Sequence, residues 1–495
     1  MAQAFLEFSD PDDYTRLREA LASAGFSAKG VLDALGVAEI HGIRRTDPGL
    51  LLRRTGAGRP VDTLVRLFLM EWSVPAQAVA EAMDPFPVSR LMEIGMLSEA
   101  AGEVRAALRL QPFTNLVLAH DSPALIHTPE AENYVMGVAR SSLALANFTI
   151  RRPVERALDL GCGCGVQALL AAEDARQVVG VDRNPRAIAF SRFNARLNDI
   201  SNAEFREGDL FDPVAEETFD LIVGNPPFVI SPENRFRFRD GGMTGDHFCE
   251  RIIREVPGYL GPGGIAQFLI NWAEFSADDW RDRIHGWCMD NGCDVWVMRT
   301  ESTDPENYAH TWLKQTDRDD PEGMERRLSE WIAYFESRRI IAIGFGGITL
   351  RRRDRGENWF RADEVPEDMR GPCGEAVLGV LARQDFLTGR DDAGLLKEFF
   401  QVSPAVRLDR TSAPADGNWV DEAYRLRLSE GFQFSANADP VIARLAARCD
   451  GATTLETLLI EMADRLNEPM EKISGPICGI VREMVAKGFL LPKAR

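Results

Sequence analysis

Residue type and spacing constrain chemistry most tightly at Asn225-Pro226-Pro227-Phe228. Two consecutive prolines lack backbone donors and stiffen the turn. The Asn225 side-chain oxygen and the Pro226 carbonyl can then both accept hydrogen bonds from one planar –NH₂. That double acceptance aims the nitrogen lone pair at an electrophile. Phe228 offers a face on which a flat acceptor can stack. A planar amide or exocyclic amine is a poor nucleophile, so alignment and exclusion of water must supply most of the rate. Asn225, Pro226 and Phe228 are therefore the candidate catalytic residues.

The electrophile is read from the preceding 70 or so residues. Asp159, Gly161, Gly163 and Gly165 follow a D-x-G-x-G-x-G spacing at the end of an apolar run. Glycines permit a tight turn and close approach of a ligand to the backbone. A nicotinamide fingerprint would be G-x-G-x-x-G, but residue 166 is valine and the third glycine comes early. The spacing fits S-adenosylmethionine (SAM), whose carboxylate and sulfonium need no pyrophosphate cradle. A plain tight turn is the competing explanation. Asp182 lies about 20 residues past the first glycine, where an acid accepts both ribose hydroxyls. It could instead cap the following helix, although Asn184 is better placed for that. Asp209 ends a third run and can accept from an adenine amino group, with Leu210 and Phe211 flanking the ring. Asp159 either receives the cofactor ammonium or holds the N–H groups of the loop.

Positioning these groups requires strands that alternate with helices. The runs at 156–160, 177–182, 203–207 and 219–224 each end at one of the groups above, which predicts a parallel sheet with its site at the carboxyl edge. Further strands are predicted at 265–270, 295–298 and 340–350, giving a seven-stranded, doubly wound, Rossmann-like α/β core. A helix over 134–147 precedes it and could lid the cofactor. Residues 12–118 predict helices followed by strands at 103–110 and 113–118, the order of a winged helix or of a small helical packing domain. Residues 375–387 and 395–400 predict helices, and 405–408 and 424–428 strands. Residues 439–491 read helix, helix, helix, strand, with Leu455, Leu458, Leu459 and Met462 on one apolar face and Ile480, Val481 and Met484 on another. The expected organisation is an N-terminal winged-helix-like domain (1–125), the core (126–353), and a C-terminal α+β domain ending in a winged-helix-like module (354–495).

Composition narrows the setting. A formal charge of −19 over 495 residues argues against a broad nucleic-acid surface. Only Arg90 is basic in the supposed recognition helix at 88–94, which argues against a DNA reader. The acidic start of the sequence does not read as a signal peptide, and no run approaches a membrane span. Eight scattered cysteines and six unpaired histidines predict free thiols, a cytoplasmic setting and no metal.

The segments LDLGCGCG (158–165), GVDRNPRAI (180–188), GDLFDP (208–213) and DLIVGNPPF (220–228) resemble the class I SAM-dependent N-methyltransferases that carry an NPP(F/Y) motif. The similarity is greatest to release-factor glutamine methyltransferases and to the small-domain ribosomal RNA guanine methyltransferases, and it covers about residues 130–350. It implies SAM contacts at Gly161, Gly163, Asp182 and Asp209, and acceptor contacts at Asn225, Pro226 and Phe228. The expected function is methyl transfer to a planar nitrogen of a nucleic-acid base (RNA or DNA) or of a protein. Methylation of a peptide or natural-product intermediate, or a non-catalytic SAM-binding scaffold, are the alternatives. The run Arg235-Phe236-Arg237-Phe238-Arg239 bears on the choice. It can clamp phosphates and stack a base, bind a carboxylate, or turn phenylalanines inward and arginines to solvent.

Overall fold

A computed structural model describes residues 5–37, 48–276, 278–317, 320–353, 357–365 and 371–493. The chain packs as two units. The first holds residues 1–146, 152–293 and 302–354, and the second holds 147–151, 294–301 and 355–495.

The first unit is organised by six neighbouring strands of the large sheet: β1 (Val154–Leu160), β2 (Ala175–Asp182), β3 (Ala203–Glu207), β4 (Phe219–Gly224), β5 (Leu260–Glu274) and β6 (Ala342–Arg352). They lie in the order β6-β5-β4-β1-β2-β3. All neighbours are parallel except β5 and β6. Leu158, Val178, Val179 and Ile222 have no exposed surface, as expected of strands covered on both faces. In register, Leu160 lies beside Val181 and Gly224, and Asp182 beside Glu207. The carboxyl ends of β1 to β4 therefore form one edge, and every candidate residue follows one of them.

Around this sheet lie α1 (Arg140–Phe148), α2 (Val166–Ala171), α3 (Pro185–Leu197), α4 (His247–Glu255), α5 (Pro305–Thr316) and α6 (Pro321–Ser337). The predicted helix over 134–147 is a helix only from Arg140. Residues 134–139 are an extended strap. Val135 donates its N–H to the Asp121 carboxylate and accepts Asp121 N–H at its carbonyl, so these groups are withdrawn from helical pairing, and a β-carbon at Gly137 would stand 2.4 Å from the His120 ring.

The N-terminal residues form helices Asp12–Ser23, Ala28–Leu35, Pro48–Arg54, Pro60–Leu64, Ala76–Met83 and Val88–Glu93. A small sheet joins Val74–Pro75, Glu103–Ala106 and Leu97–Ala100. The strand pair expected at 103–110 and 113–118 is instead two hairpins, Leu97–Ala100 with Glu103–Ala106 and Leu108–Phe113 with Leu116–Asp121. Ala101 and Gly102 both have positive φ (53° and 80°). Alanine at the first of these positions hid a turn usually marked by Asn or Asp. The second hairpin docks on α3. Asn194 accepts from Ala119 N–H (2.7 Å) and donates to its carbonyl (2.9 Å), while Asn198 does the same with Val117 (2.9 and 2.8 Å). Two asparagines one turn apart thus satisfy a strand edge.

The second unit contains helices Gly374–Leu387, Asp392–Leu396, Pro440–Arg448, Leu455–Leu466 and Met470–Lys487. Residues 295–299 pair in parallel with Phe360–Glu364. Phe399–Val402 lies between Asp450–Thr454 and Leu490–Pro492, and a long hairpin, Val406–Ala415 with Asn418–Leu428, adds Ser435–Ala438. The helix expected over 395–400 ends at Leu396, because Phe399 onward pairs as a strand. Leu455, Leu458, Leu459, Met462, Val481 and Met484 are buried as predicted; Ile480 is 38% exposed and falls off the apolar face.

Candidate functional site

The glycine turn after β1 adopts left-handed backbone at Gly161 (φ 75°), Gly163 (φ 56°) and Gly165 (φ 84°). Side chains at Gly161 and Gly163 would meet open space, whereas one at Gly165 would strike Ser191. The first two glycines therefore keep the edge clear, and the third lets α3 approach.

Asp159 is 1% exposed and accepts the Ala168 N–H of α2 (2.8 Å). Burial pushes its carboxyl up to about 7, against the opposing pull of that bond. Its bonded partner lies in the helix and not among the N–H groups of the glycine loop that were expected. Asp182 accepts Gly163 N–H through one oxygen and Asn184 N–H through the other, both at 2.9 Å. Burial raises its pKa while these two bonds lower it. Asn184 caps α3 by accepting Arg186 N–H (3.0 Å), which leaves Asp182 facing the cavity. Asp209 is half-exposed and pairs with Arg251 at 3.4 Å. Leu210 has φ 44°, an uncommon backbone for leucine, and lines the cavity. Phe211 turns away and stacks on Tyr259 at 4.2 Å, so it does not flank a ligand there.

These groups line one cavity enclosing about 1020 Å³, open solvent included. The strap over 134–139 borders it, with Tyr134 and Gly137 among its lining residues. Asp121 secures the strap by accepting Val135 N–H (2.9 Å), and Asn184 donates to the Asn133 carbonyl (3.0 Å). Asp121 is itself held by the Arg186 guanidinium, at 2.5 Å at the closest. Tyr134 comes from the predicted lid and Phe238 from the arginine–phenylalanine run, while Gln167 and Phe248 line the cavity without having stood out in the sequence. They come from separate segments and carry no local spacing signal.

Asn225 sits at the mouth of β4. Its Nδ2 donates to Ser141 Oγ (3.1 Å), while its Oδ1 is buried and has no hydrogen-bond partner among the described residues. Gln167 repeats the pattern: Nε2 donates to the Ser142 carbonyl (2.8 Å), and Oε1 is buried without a partner. A buried acceptor without a donor is costly, and both residues line the same cavity. Pro227 also lines it; Pro226 is buried beside it. Phe228 is 9% exposed and packs against Trp312 and Phe345 at 6.2 and 5.5 Å, outside the cavity lining. The chain beyond it is pinned by Ile230 N–H donating to the buried Tyr308 hydroxyl (3.1 Å), which also binds Asn271 (2.5 Å).

The arginine–phenylalanine run forms no cationic clamp. Arg239 is fully buried, paired with Asp240 (2.8 Å) and Glu233 (3.0 Å) and lying over the rings of Phe236 and Trp331. Arg235 pairs with Asp317 (3.1 Å) and Arg237 with Glu132 (2.7 Å). Phe236 is buried, as the inward-phenylalanine alternative expected; Arg235 and Arg237 are partly exposed while paired to carboxylates, and Arg237 and Phe238 line the cavity.

The strand order and the acids and glycines at its carboxyl edge define a Rossmann-like methyltransferase core. The chain belongs to the class I SAM-dependent N-methyltransferases built on the methyltransferase small domain. The profile "Methyltransferase small domain" matches residues 139–274, and two domains of unknown function match 23–107 and 379–492. A Methanocaldococcus jannaschii protein named for protein N5-glutamine methyltransferase activity is 36% identical over 139 residues, 26% of this chain and 69% of its own. The release factor glutamine methyltransferase of Geobacter sulfurreducens is 40% identical over 120 residues, 22% of this chain and 42% of its own. The chain thus spans less than half of that second relative. A solved methyltransferase from Pyrococcus furiosus aligns over 43% of this chain and 81% of its own, at 16% identity and a TM-score of 0.27.

Proposed function

We propose that this chain is an enzyme that moves the methyl group of SAM to a planar amide or exocyclic amine nitrogen. The observation that carries the reading is Asn225 Oδ1, a buried acceptor without a donor, in an amide group held by Ser141. An acceptor –NH₂ supplies the missing donor.

The cavity fits the cofactor. SAM presents donors at its ammonium, ribose hydroxyls and adenine amino group, and the lining is rich in acceptors: Asp159, Asp182, Asp209 and Gln167. Gly161 and Gly163 would leave room for its methionine end, and Leu210 would be available to its adenine. When bound, SAM supplies an electrophilic methyl group on a sulfonium. Asn225 Oδ1 and the Pro226 carbonyl orient the acceptor nitrogen, and the Tyr308–Ile230 bond keeps the turn in place. Phe228 supports the turn from below rather than stacking on the acceptor. No general base is required, since the proton can leave after transfer.

The acceptor is a protein or small-molecule amide in this reading. The one cationic, aromatic run that favoured RNA or DNA is consumed by internal ion pairs. Relatives named for glutamine methylation favour the same acceptor chemistry. The profiles at 23–107, 139–274 and 379–492 fall within an N-terminal domain (1–125), a catalytic core (126–353) and a C-terminal domain (354–495). The outer two are assigned to acceptor recognition, with winged-helix-like cores. Eight unbonded, buried cysteines suit a cytoplasmic setting. Among the described residues no helix is long and apolar enough to cross a membrane.

The test has two parts. S-adenosylhomocysteine is titrated into the wild type and Asn225→Ala, with equal binding expected. Tritiated methyl transfer is then followed into protein, RNA and small-molecule fractions. Label in protein or small molecules that vanishes in Asn225→Ala supports the reading. Label in RNA transfers the assignment to a base, and binding without transfer into any fraction makes the chain a scaffold.

A further inference from the structure

A second cavity, of about 2000 Å³ with open solvent included, lies on the other side of the strap. The strap and the start of α1 divide the two spaces residue by residue. Gly137 and Ser142 line the cofactor cavity, while Val138, Ala139 and Arg140 line the second. Between them Ser141 holds the amide of Asn225. The second cavity thus abuts the group that orients the acceptor nitrogen.

Its walls are unlike the rest of this acidic chain. Three arginines, Arg105, Arg109 and Arg140, line it against one carboxylate, Glu71, whereas the whole chain carries −19. Arg140 is exposed and makes no ion pair among the described residues. Arg109 donates from Nη2 to Glu71 (2.8 Å), and both side chains are mostly buried. The backbone beside that pair is unusual. Glu71 has φ 59°, a left-handed conformation that normally selects glycine at a helix end. The turn before it is the π-helix Val65–Leu69, a rare form concentrated at functional sites. On the adjoining hairpin, Arg109 stands opposite His120, whose ring packs against Gly137 of the strap. The charged wall and the strap are therefore in direct register.

We propose, resting on the N-methyltransferase reading above, that this cavity admits and selects the methyl acceptor, and that the acceptor carries an anionic group, carboxylate or phosphate, beside its planar nitrogen. Arg140 and Arg105 meet the anion at the rim. The Glu71–Arg109 pair fixes the inner wall. This assigns acceptor selection to the N-terminal domain together with the start of α1.

Titration calorimetry on the full chain saturated with S-adenosylhomocysteine tests it with two matched pairs of probes. These are N-acetyl-L-glutamine against its neutral α-amide, and guanosine 5′-monophosphate against guanosine. The charged member of at least one pair is expected to bind at least tenfold more tightly than the neutral one, and the pair that responds tells carboxylate from phosphate. Arg140→Gln, an exposed change that leaves the fold alone, should cut that preference at least fivefold, and Glu71→Gln/Arg109→Met should abolish it. Equal binding within both pairs, no binding of any probe, or a preference that survives in both variants overturns the proposal. If S-adenosylhomocysteine does not bind, the methyltransferase reading fails, while the anion preference is measured on the ligand-free chain and is judged on its own.

Discussion

The two halves of the carboxyl edge are built on opposite principles. At β1 and β2, the acids that face the cavity are already bonded to nearby backbone: Asp159 to Ala168, and Asp182 to Gly163 and Asn184. These bonds span 2 to 19 residues, as the differences in residue number show. After β4 the supports are remote. Ser141 lies 84 positions from Asn225, and Tyr308 lies 78 from Ile230. The first half spends local bonds to hold charge in place, and the second leaves an acceptor open for a substrate. A cofactor site can be prefabricated from neighbours, whereas an acceptor site needs elements that only the fold brings together.

That contrast can be broken by experiment, beginning with the largest effect. Arg239→Ala should destabilise the first unit by about 3–5 kcal/mol, because it leaves Asp240 buried without its partner. Chemical denaturation measures this. An unchanged midpoint together with weakened binding of RNA would restore the phosphate clamp and undo the contrast.

Next comes the pH response of Asp159. Its folded pKa of about 7 lies above the usual value for an aspartate. The folded chain therefore holds this proton through a range in which the unfolded chain has lost it. Its contribution to stability is favourable below about pH 4 and is lost as pH rises to about 7, by up to about 4 kcal/mol. Asp159→Asn should flatten the fall in melting temperature of the cofactor-free protein between those limits. A slope as steep as that of the wild type would show that the carboxylate is charged throughout.

On the acceptor side, Asn225→Ala should cost about 10²–10³ in kcat, with little change in cofactor affinity. A matching loss in affinity would merge the two halves into one site. Smallest is Asp182→Asn, which surrenders one charge-assisted bond and should weaken S-adenosylhomocysteine binding by roughly tenfold. A transfer defect without a binding defect would move Asp182 to the acceptor half.

The legibility of the molecule follows the same division. Strands β1 to β4, the glycine turn and the helix cap at Asn184 could be read because each depends on residues close in the chain. Phe211, Phe228 and the arginine run misled because their neighbours are distant. Phe211 met Tyr259, Phe228 met Trp312 and Phe345, and Arg239 met Asp240 and Glu233 among buried rings. Alternation of Arg and Phe predicts a strand or a clamp, and nothing local announces a guanidinium with no exposed surface. The helix over 134–147 failed for a related reason. Its first half is held extended by Asp121 and packed against His120, both from the N-terminal hairpin.

What the sequence determined by itself is the methyltransferase family, and with it the expectation of SAM and of a nitrogen acceptor. Both are encoded in short spacings whose geometry is set by backbone turns and strand ends. The tertiary structure decided which carboxylates carry raised pKa values, which aromatic rings line the cavity, and that Asn225 is held by Ser141 with its oxygen left open. Desolvation and hydrogen-bond satisfaction depend on what surrounds a group from every side. No local pattern of residues contains that information.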